Sequence, residues 1–164
     1  MFWGEPLAET AQRMAAVRAA AAPGRSLAFS VSFRPILGAT EAEAWKKAHH
    51  YLERITAHRG KAPGSAPSAG SQRLLDLAAK QEVFDERLWM AIAAATGAGG
   101  NSSALVGTPE QVAASLLRYY DLGITSFLIR GFEPLQDAAA FGRELIPLVR
   151  EGAARRDGAG RAAD

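Results

Sequence analysis

Apolar and polar positions alternate from residue 27 to residue 34, and this alternation predicts a β-strand. Bulky apolar residues occupy the odd positions from Leu27 to Phe33, whereas small or polar residues occupy the even positions from Ala28 to Arg34. Pro35 lacks the backbone N–H that continues a sheet, so we expect regular pairing to stop beside it. The strand therefore has one bulky apolar face and one small or polar face.

Two further apolar runs predict strands of a different kind. Ile124–Arg130 is apolar on both faces around Phe127–Ile129, a pattern typical of strands that parallel sheets bury on both sides. Met1–Trp3 is apolar and stops at Gly4, so we interpret it as the end of a strand. Strands that alternate with helical segments predict a parallel α/β architecture.

Helices are predicted between these strands from capping residues and from apolar residues at helical spacing. Thr40 and Glu43 form a capping box, and Thr108 and Gln111 form another. The other predicted helices run from Pro6 to Pro23, over Gln72–Lys80, over Glu86–Ala95 and over Leu135–Val149, the last of which bends or ends near Pro147. We expect a structured portion over residues 1–151 and a disordered tail over residues 152–164.

Composition narrows the class of protein. Hydrophobic residues make up 48% of the 164 residues, so the chain can bury a core, and the net charge is +2. The chain has no cysteine, which excludes disulfides and Cys-ligated metals. No apolar run approaches the ~20 residues of a membrane span, and no basic segment is interleaved with aromatic residues. We expect a cytoplasmic protein that binds neither membrane nor nucleic acid.

Two stretches resemble one enzyme family when they are taken together. The first is Trp3-Gly-Glu-Pro6, followed by the strand Phe29–Arg34 and the helix start Thr40–Trp45; the second runs from Gly99 to Gly131. The chain resembles the bacterial-luciferase-like flavin-dependent monooxygenases, closest to the alkanesulfonate monooxygenase branch, from Met1 to about Val149. The resemblance implies a (β/α)8 TIM barrel, reduced FMN from a separate flavin reductase, O2 as co-substrate, carbon–sulfur cleavage in a small-molecule alkanesulfonate, and a homo-oligomer.

The resemblance covers the last two to three βα units, so it predicts a partial barrel. Trp3 would end the sixth strand, Leu27–Arg34 would be the seventh and Ser126–Arg130 the eighth. Because a barrel interior is filled by layers of four side chains, these strands cannot fill it alone. We therefore expect an FMN-dependent monooxygenase fragment that is inactive by itself. The alternative is a non-catalytic interaction module, or a half-barrel subunit that needs a partner chain.

The resemblance also suggests site residues on the first two strands. Trp3 matches a tryptophan beside the flavin and substrate pocket, with ordinary packing as the alternative. Arg34 ends the seventh strand on its small face, where a guanidinium suits a sulfonate, a phosphate or a reacting oxygen; a solvated charge is the alternative. The alkanesulfonate enzymes have a histidine at the position of Arg34 and an arginine at that of Ser32. We expect Arg34 to be catalytic and both Ser32 and Arg34 to contact the substrate.

Two loops complete the candidate site. Gly97–Ser103 matches a mobile lid over the family's active site. The alkanesulfonate enzymes have an arginine in this lid, and the nearest position in this chain is Ala98. The amides of Asn101 and Ser102 are candidates for substrate binding, and a flexible connector is the alternative. The family's tyrosine and histidine after the eighth strand are replaced here by Phe132 and Pro134. Phe132 is expected to contact substrate without donating a hydrogen bond, and Arg130 to bind an anion or form a salt bridge.

The remaining histidine and acidic residues show no spacing typical of a metal site or a catalytic site. The candidates are three histidines on one helix, which lack metal-ligand spacing, and three acidic residues that we interpret as an exposed connector: His49, His50, His58, Glu82, Asp85 and Glu86. We therefore expect no metal site.

Overall fold

Three parallel strands form the part of the fold that positions the site. A computed structural model of the chain describes residues 1–59, 68–99 and 103–161. β2 (Phe29–Leu37) lies between β1 (Phe2–Trp3) and β6 (Ile124–Ile129) and pairs in parallel with both. The sheet is a curled half-barrel. The predicted α/β class and partial (β/α)8 barrel are therefore confirmed.

The helices surround this sheet and begin largely where the capping residues predict. Thr40 and Glu43 exchange the two hydrogen bonds of a capping box, as do Thr108 and Gln111. The helices are α1 (Leu7–Ala20), α2 (Glu41–Arg59), α3 (Ala69–Lys80), α4 (Ala91–Thr96), α5 (Pro109–Asp121), α6 (Pro134–Ala140) and α7 (Ile146–Arg161), with a π-helical segment (Phe141–Leu145) between the last two.

The prediction that pairing stops at Pro35 was wrong, because β2 continues to Leu37. Its last residues pair in parallel with β5 (Ala104–Gly107). Neighbouring residues of a strand direct their backbone groups to opposite edges, and the Arg34 N–H donates to Ser103 O on the β5 side. The missing N–H of Pro35 therefore points to the other edge, where pairing with β6 has already ended at Phe33.

The helix predicted over Glu86–Ala95 was also wrong in its first half. β3 (Val83–Phe84) and β4 (Leu88–Trp89) form an antiparallel hairpin there, and β4 pairs with β5. Asp85 and Glu86 turn the hairpin with φ values of 48° and 70°. Asp85 is not an exposed connector, because it is half-buried and accepts a hydrogen bond from Leu7 N.

The C-terminal helix continues to Arg161, inside the segment for which the sequence predicted a disordered tail, and Pro147 lies in its first turn. Contacts with α5 account for this extension. Arg156 forms an ion pair with Asp121, and Tyr120 donates to Asp157 at 2.6 Å. α7 is therefore held against α5 well beyond residue 152.

The main core lies on the bulky face of β2. Val31 and Phe33 are fully buried there, with Met14 of α1 and Leu116 of α5. The Phe33 ring lies 4.8 Å from that of Tyr119. A second cluster packs α2 and α4 against the end of β2 and against β5. Because the bulky face of β2 is committed to the core, its small face is left for the site.

Candidate functional site

The small face of β2 carries the residues that the sequence singled out. Trp3, Ser32 and Leu128 are partners in the parallel register of β1, β2 and β6, so their side chains lie on one face, which we call the site face. Trp3 is half-buried and Ser32 is buried, whereas Leu128 is 45% exposed. The carboxyl ends of all three strands meet at one rim, where active sites of (β/α)8 barrels are found.

The two residues after β1, Gly4 and Glu5, hold the end of this strand in place. A Cβ on Gly4 would lie 2.3 Å from the Phe33 ring, so only glycine permits this approach. The Glu5 carboxylate is buried and pairs with Arg13 at 2.7 Å and with Arg73 at 3.1 Å. Since these bonds fix the residues that follow Trp3, they also fix the position of the indole on the site face.

Arg34 lies half-buried on the small face of β2, directly after the last residue that pairs with β6. Its Nη1 donates to Gly131 O at 3.0 Å, and its guanidinium lies 5.2 Å from the centre of the Phe132 ring. Burial and the neighbouring Arg130 charge both lower the pKa of Arg34 from its ordinary value. Arg34 and Arg130 also line one cavity of about 400 Å³. Two like charges that line one cavity favour an anion between them.

The loop that follows β6 is held by a single carboxylate. Asp137 of α6 is buried, and its Oδ2 accepts from Phe132 N at 2.7 Å and from Glu133 N at 2.9 Å. Its Oδ1 pairs with Lys47 of α2 at 3.2 Å. A Cβ on Gly131 would lie 2.2 Å from that of Asp137. The loop is therefore fixed at both the glycine and the two following amides.

A cavity of about 450 Å³ opens beside Arg34, between α2, α4 and the loop after β6. Its polar lining comes from α2 as much as from the strand ends, since Tyr51, Arg54 and His58 all contribute. Arg54 is held by Glu133 at 2.8 Å. Ile55, Ile92 and Phe132 provide apolar walls. A cavity of this size and mixed lining suits a small amphipathic molecule.

The structure brings together some of the predicted site residues and not others. Trp3, Ser32 and the two arginines lie along the site face and its rim, and Phe132 lies beside them. Asn101 and Ser102 lie outside the described residues. Their roles, like those of the other candidates, stay predictions. No group of three His, Asp or Glu side chains suited to a metal occurs among residues 1–59, 68–99 and 103–161.

Comparison with known proteins identifies the family. Residues 1–126 match the family model described as luciferase-like monooxygenase. The chain belongs to the luciferase-like monooxygenase family. The predicted family is thus confirmed, whereas the alkanesulfonate branch stays a prediction.

Solved structures of two enzymes share the fold of this chain. A riboflavin lyase solved with modified FMN and riboflavin has a TM-score of 0.61 and 20% identity, and the match covers 92% of this chain and 38% of that one. An EDTA monooxygenase from Chelativorans sp. BNC1 has a TM-score of 0.53 and 24% identity, with 86% and 35% covered. The chain therefore spans little more than a third of either structure.

Several lining residues of this family member could not be predicted from its sequence. Tyr51, Arg54 and His58 lie on α2, whose pattern predicts only a core-facing stripe and a solvated face. They reach the site because the loop after β6 lies against α2, where the ion pairs Lys47–Asp137 and Arg54–Glu133 join the two elements.

No helix within the described parts of the chain is long and apolar enough to cross a membrane.

Proposed function

We propose that this chain forms the anion-binding end of a flavin-dependent monooxygenase site. The substrate class is a small organosulfur anion such as an alkanesulfonate. The single observation that carries the proposal is the pair of arginines, Arg34 and Arg130, which directly follow the last paired residues of the parallel strands β2 and β6 and line one cavity. This is the rim at which barrels of this type bind their substrates.

The chemistry of the arginine pair supports a sulfonate. Arg34 is already oriented by Gly131 O and the Phe132 ring, so little side-chain freedom is lost when it binds an anion. A planar guanidinium can donate two parallel hydrogen bonds to an oxyanion. The cavity beside it has apolar walls at Ile55 and Ile92, which would accommodate the alkyl part.

The site face fits a flavin ring. Trp3 offers a flat, half-buried indole, and Leu128 keeps an apolar side chain 45% exposed on the same face. We assign Trp3 to the flavin and substrate pocket, and Ser32 beside it to the substrate. Reduced FMN, when bound, supplies the electrons that activate O2, and we propose that a separate reductase provides it. The chain's own residues orient the substrate and exclude water.

A calorimetric titration tests the proposal. The full chain is titrated with hexanesulfonate, with hexanol as the uncharged match, and the Arg34→Lys variant is the matched control for charge without the guanidinium fork. We expect the sulfonate alone to bind, and about tenfold more weakly to Arg34→Lys. Equal binding of sulfonate and hexanol, or of wild type and Arg34→Lys, would contradict the anion-binding role.

A second candidate is an interaction module or half-barrel subunit that works with a partner chain, including a second copy of itself. Two observations favour it: within the described residues β6 pairs only with β2, and Leu128 on the site face beside this outer edge is 45% exposed. Light scattering across a concentration series distinguishes a monomer from an oligomer. A concentration-dependent oligomer that Leu128→Ser dissociates supports this candidate, and a monomer at all concentrations contradicts it.

A further inference from the structure

Tyr51 lines the cavity beside Arg34, and its hydroxyl has no evident structural role. It lies on α2 one helical turn after Lys47, and only 5% of its surface is exposed. Its ring stacks on that of Phe132, with centres 4.7 Å apart and planes inclined by 23°. Both rings line the cavity of about 450 Å³ beside Arg34.

The hydroxyl of Tyr51 differs from those of the other two tyrosines. Tyr119 donates to Glu5 O at 2.8 Å, and Tyr120 donates to Asp157 at 2.6 Å. The Tyr51 hydroxyl makes no hydrogen bond within the described part of the chain, although its ring is packed. A fixed ring that presents an unused hydroxyl to a cavity is suited to meet a ligand there.

The raised pKa of Tyr51 keeps its hydroxyl protonated and therefore a hydrogen-bond donor. Burial raises the pKa of Tyr51 to about 12, and the nearby Asp137 and Glu133 charges act in the same direction. The hydroxyl is therefore protonated throughout the neutral range. A protonated hydroxyl can donate one hydrogen bond to an oxyanion.

Arg34 and Tyr51 meet the same aromatic ring from two different elements. The guanidinium lies 5.2 Å from the centre of the Phe132 ring, and the Tyr51 ring lies 4.7 Å from it. Phe132 thus contacts a cation from β2 and a tyrosine ring from α2, and all three residues line the same cavity. Ile55 and Ile92 line the same cavity with apolar surface.

We infer that Tyr51 is a substrate-binding residue that donates its hydroxyl hydrogen to the oxyanion held by Arg34, while Ile55 and Ile92 contact the apolar part. The inference rests on the proposed function, because it takes Arg34 to bind an oxyanion. Arg34 lines both the cavity of about 400 Å³ that it shares with Arg130 and the cavity of about 450 Å³ that it shares with Tyr51, and the inference places the oxyanion on the Tyr51 side of the guanidinium. It adds a residue of α2 to the oxyanion contact that Arg34 of β2 provides. Phe132 cannot donate a hydrogen bond, so the hydroxyl beside it supplies the donor that this wall lacks.

The test compares two tyrosine variants in the full chain. Tyr51→Phe removes the cavity hydroxyl, and Tyr120→Phe makes the same change at a hydroxyl outside this cavity. We expect Tyr51→Phe to raise the Kd for hexanesulfonate about tenfold and Tyr120→Phe to leave it unchanged. Because the Tyr51 hydroxyl has no described partner, Tyr51→Phe should also keep the melting temperature of the wild type.

The outcomes separate this inference from the proposed function. Sulfonate binding that depends on Arg34 but is unchanged in Tyr51→Phe overturns the role of Tyr51 and leaves the anion site standing. No sulfonate binding by the wild type overturns both. A Tyr51→Phe variant that melts lower and binds sulfonate as tightly as the wild type assigns Tyr51 to the fold, which also overturns the inference.

Discussion

Replacing Asp137 tests whether one carboxylate holds the loop that orients Arg34. In Asp137→Ala the amides of Phe132 and Glu133 lose their shared acceptor, and Lys47 loses its partner. A hydrogen bond to a charged group contributes about 1.5–3 kcal/mol, and these two amides are only partly buried. We therefore expect the free energy of unfolding to fall by about 2–4 kcal/mol.

Asp137→Asn is the matched variant, because both amides bond to the same oxygen, Oδ2. An asparagine carbonyl can accept both bonds, so only the pair with Lys47 is lost. Lys47 is 37% exposed, and such a pair contributes at most about 1 kcal/mol. Urea unfolding of the wild type and both variants measures the difference. A loss below about 0.5 kcal/mol in Asp137→Ala, or equal losses in the two variants, would refute the reasoning.

Three further changes probe the supports of the site. Gly131→Ala places a Cβ 2.2 Å from that of Asp137 and should lower the unfolding free energy by about 1–3 kcal/mol in urea, whereas an unchanged midpoint would contradict the tight packing. Glu5→Gln weakens the buried pairs with two arginines and should lower the unfolding free energy by about 1–3 kcal/mol in the same assay, and an unchanged urea midpoint would contradict a stabilising role of these pairs. Because burial raises the pKa of Tyr51 from 10.0 to about 12, its ionisation is opposed by folding, so stability should fall as the pH rises through that interval. Tyr51→Phe should lose part of that fall in unfolding experiments at several alkaline pH values; an identical profile would contradict the assignment.

Much of the strand framework could be predicted because its signals are local. The alternation from Phe29 to Arg34 separates a core face from a site face, and the structure keeps that separation. The capping boxes at Thr40 and Thr108 likewise depend only on residues three positions apart. Such features need no knowledge of the distant chain.

The parts that could not be predicted depend on contacts between distant segments. β5 is too short and uniformly apolar for periodicity to classify it, and it becomes a strand by pairing with the end of β2. Tyr51 lines the site only because the loop at Phe132 lies against α2, eighty-one positions away in the sequence. No pattern within α2 could indicate that contact.

The most direct test of the anion site follows backbone amide signals of the full chain by NMR during titration with hexanesulfonate. We predict saturable shifts that centre on Arg34, Gly131 and Phe132 and that are strongly reduced in Arg34→Lys. Saturable shifts confined to other regions, such as the arginine-rich end of α7, or no shifts at all, would contradict the account.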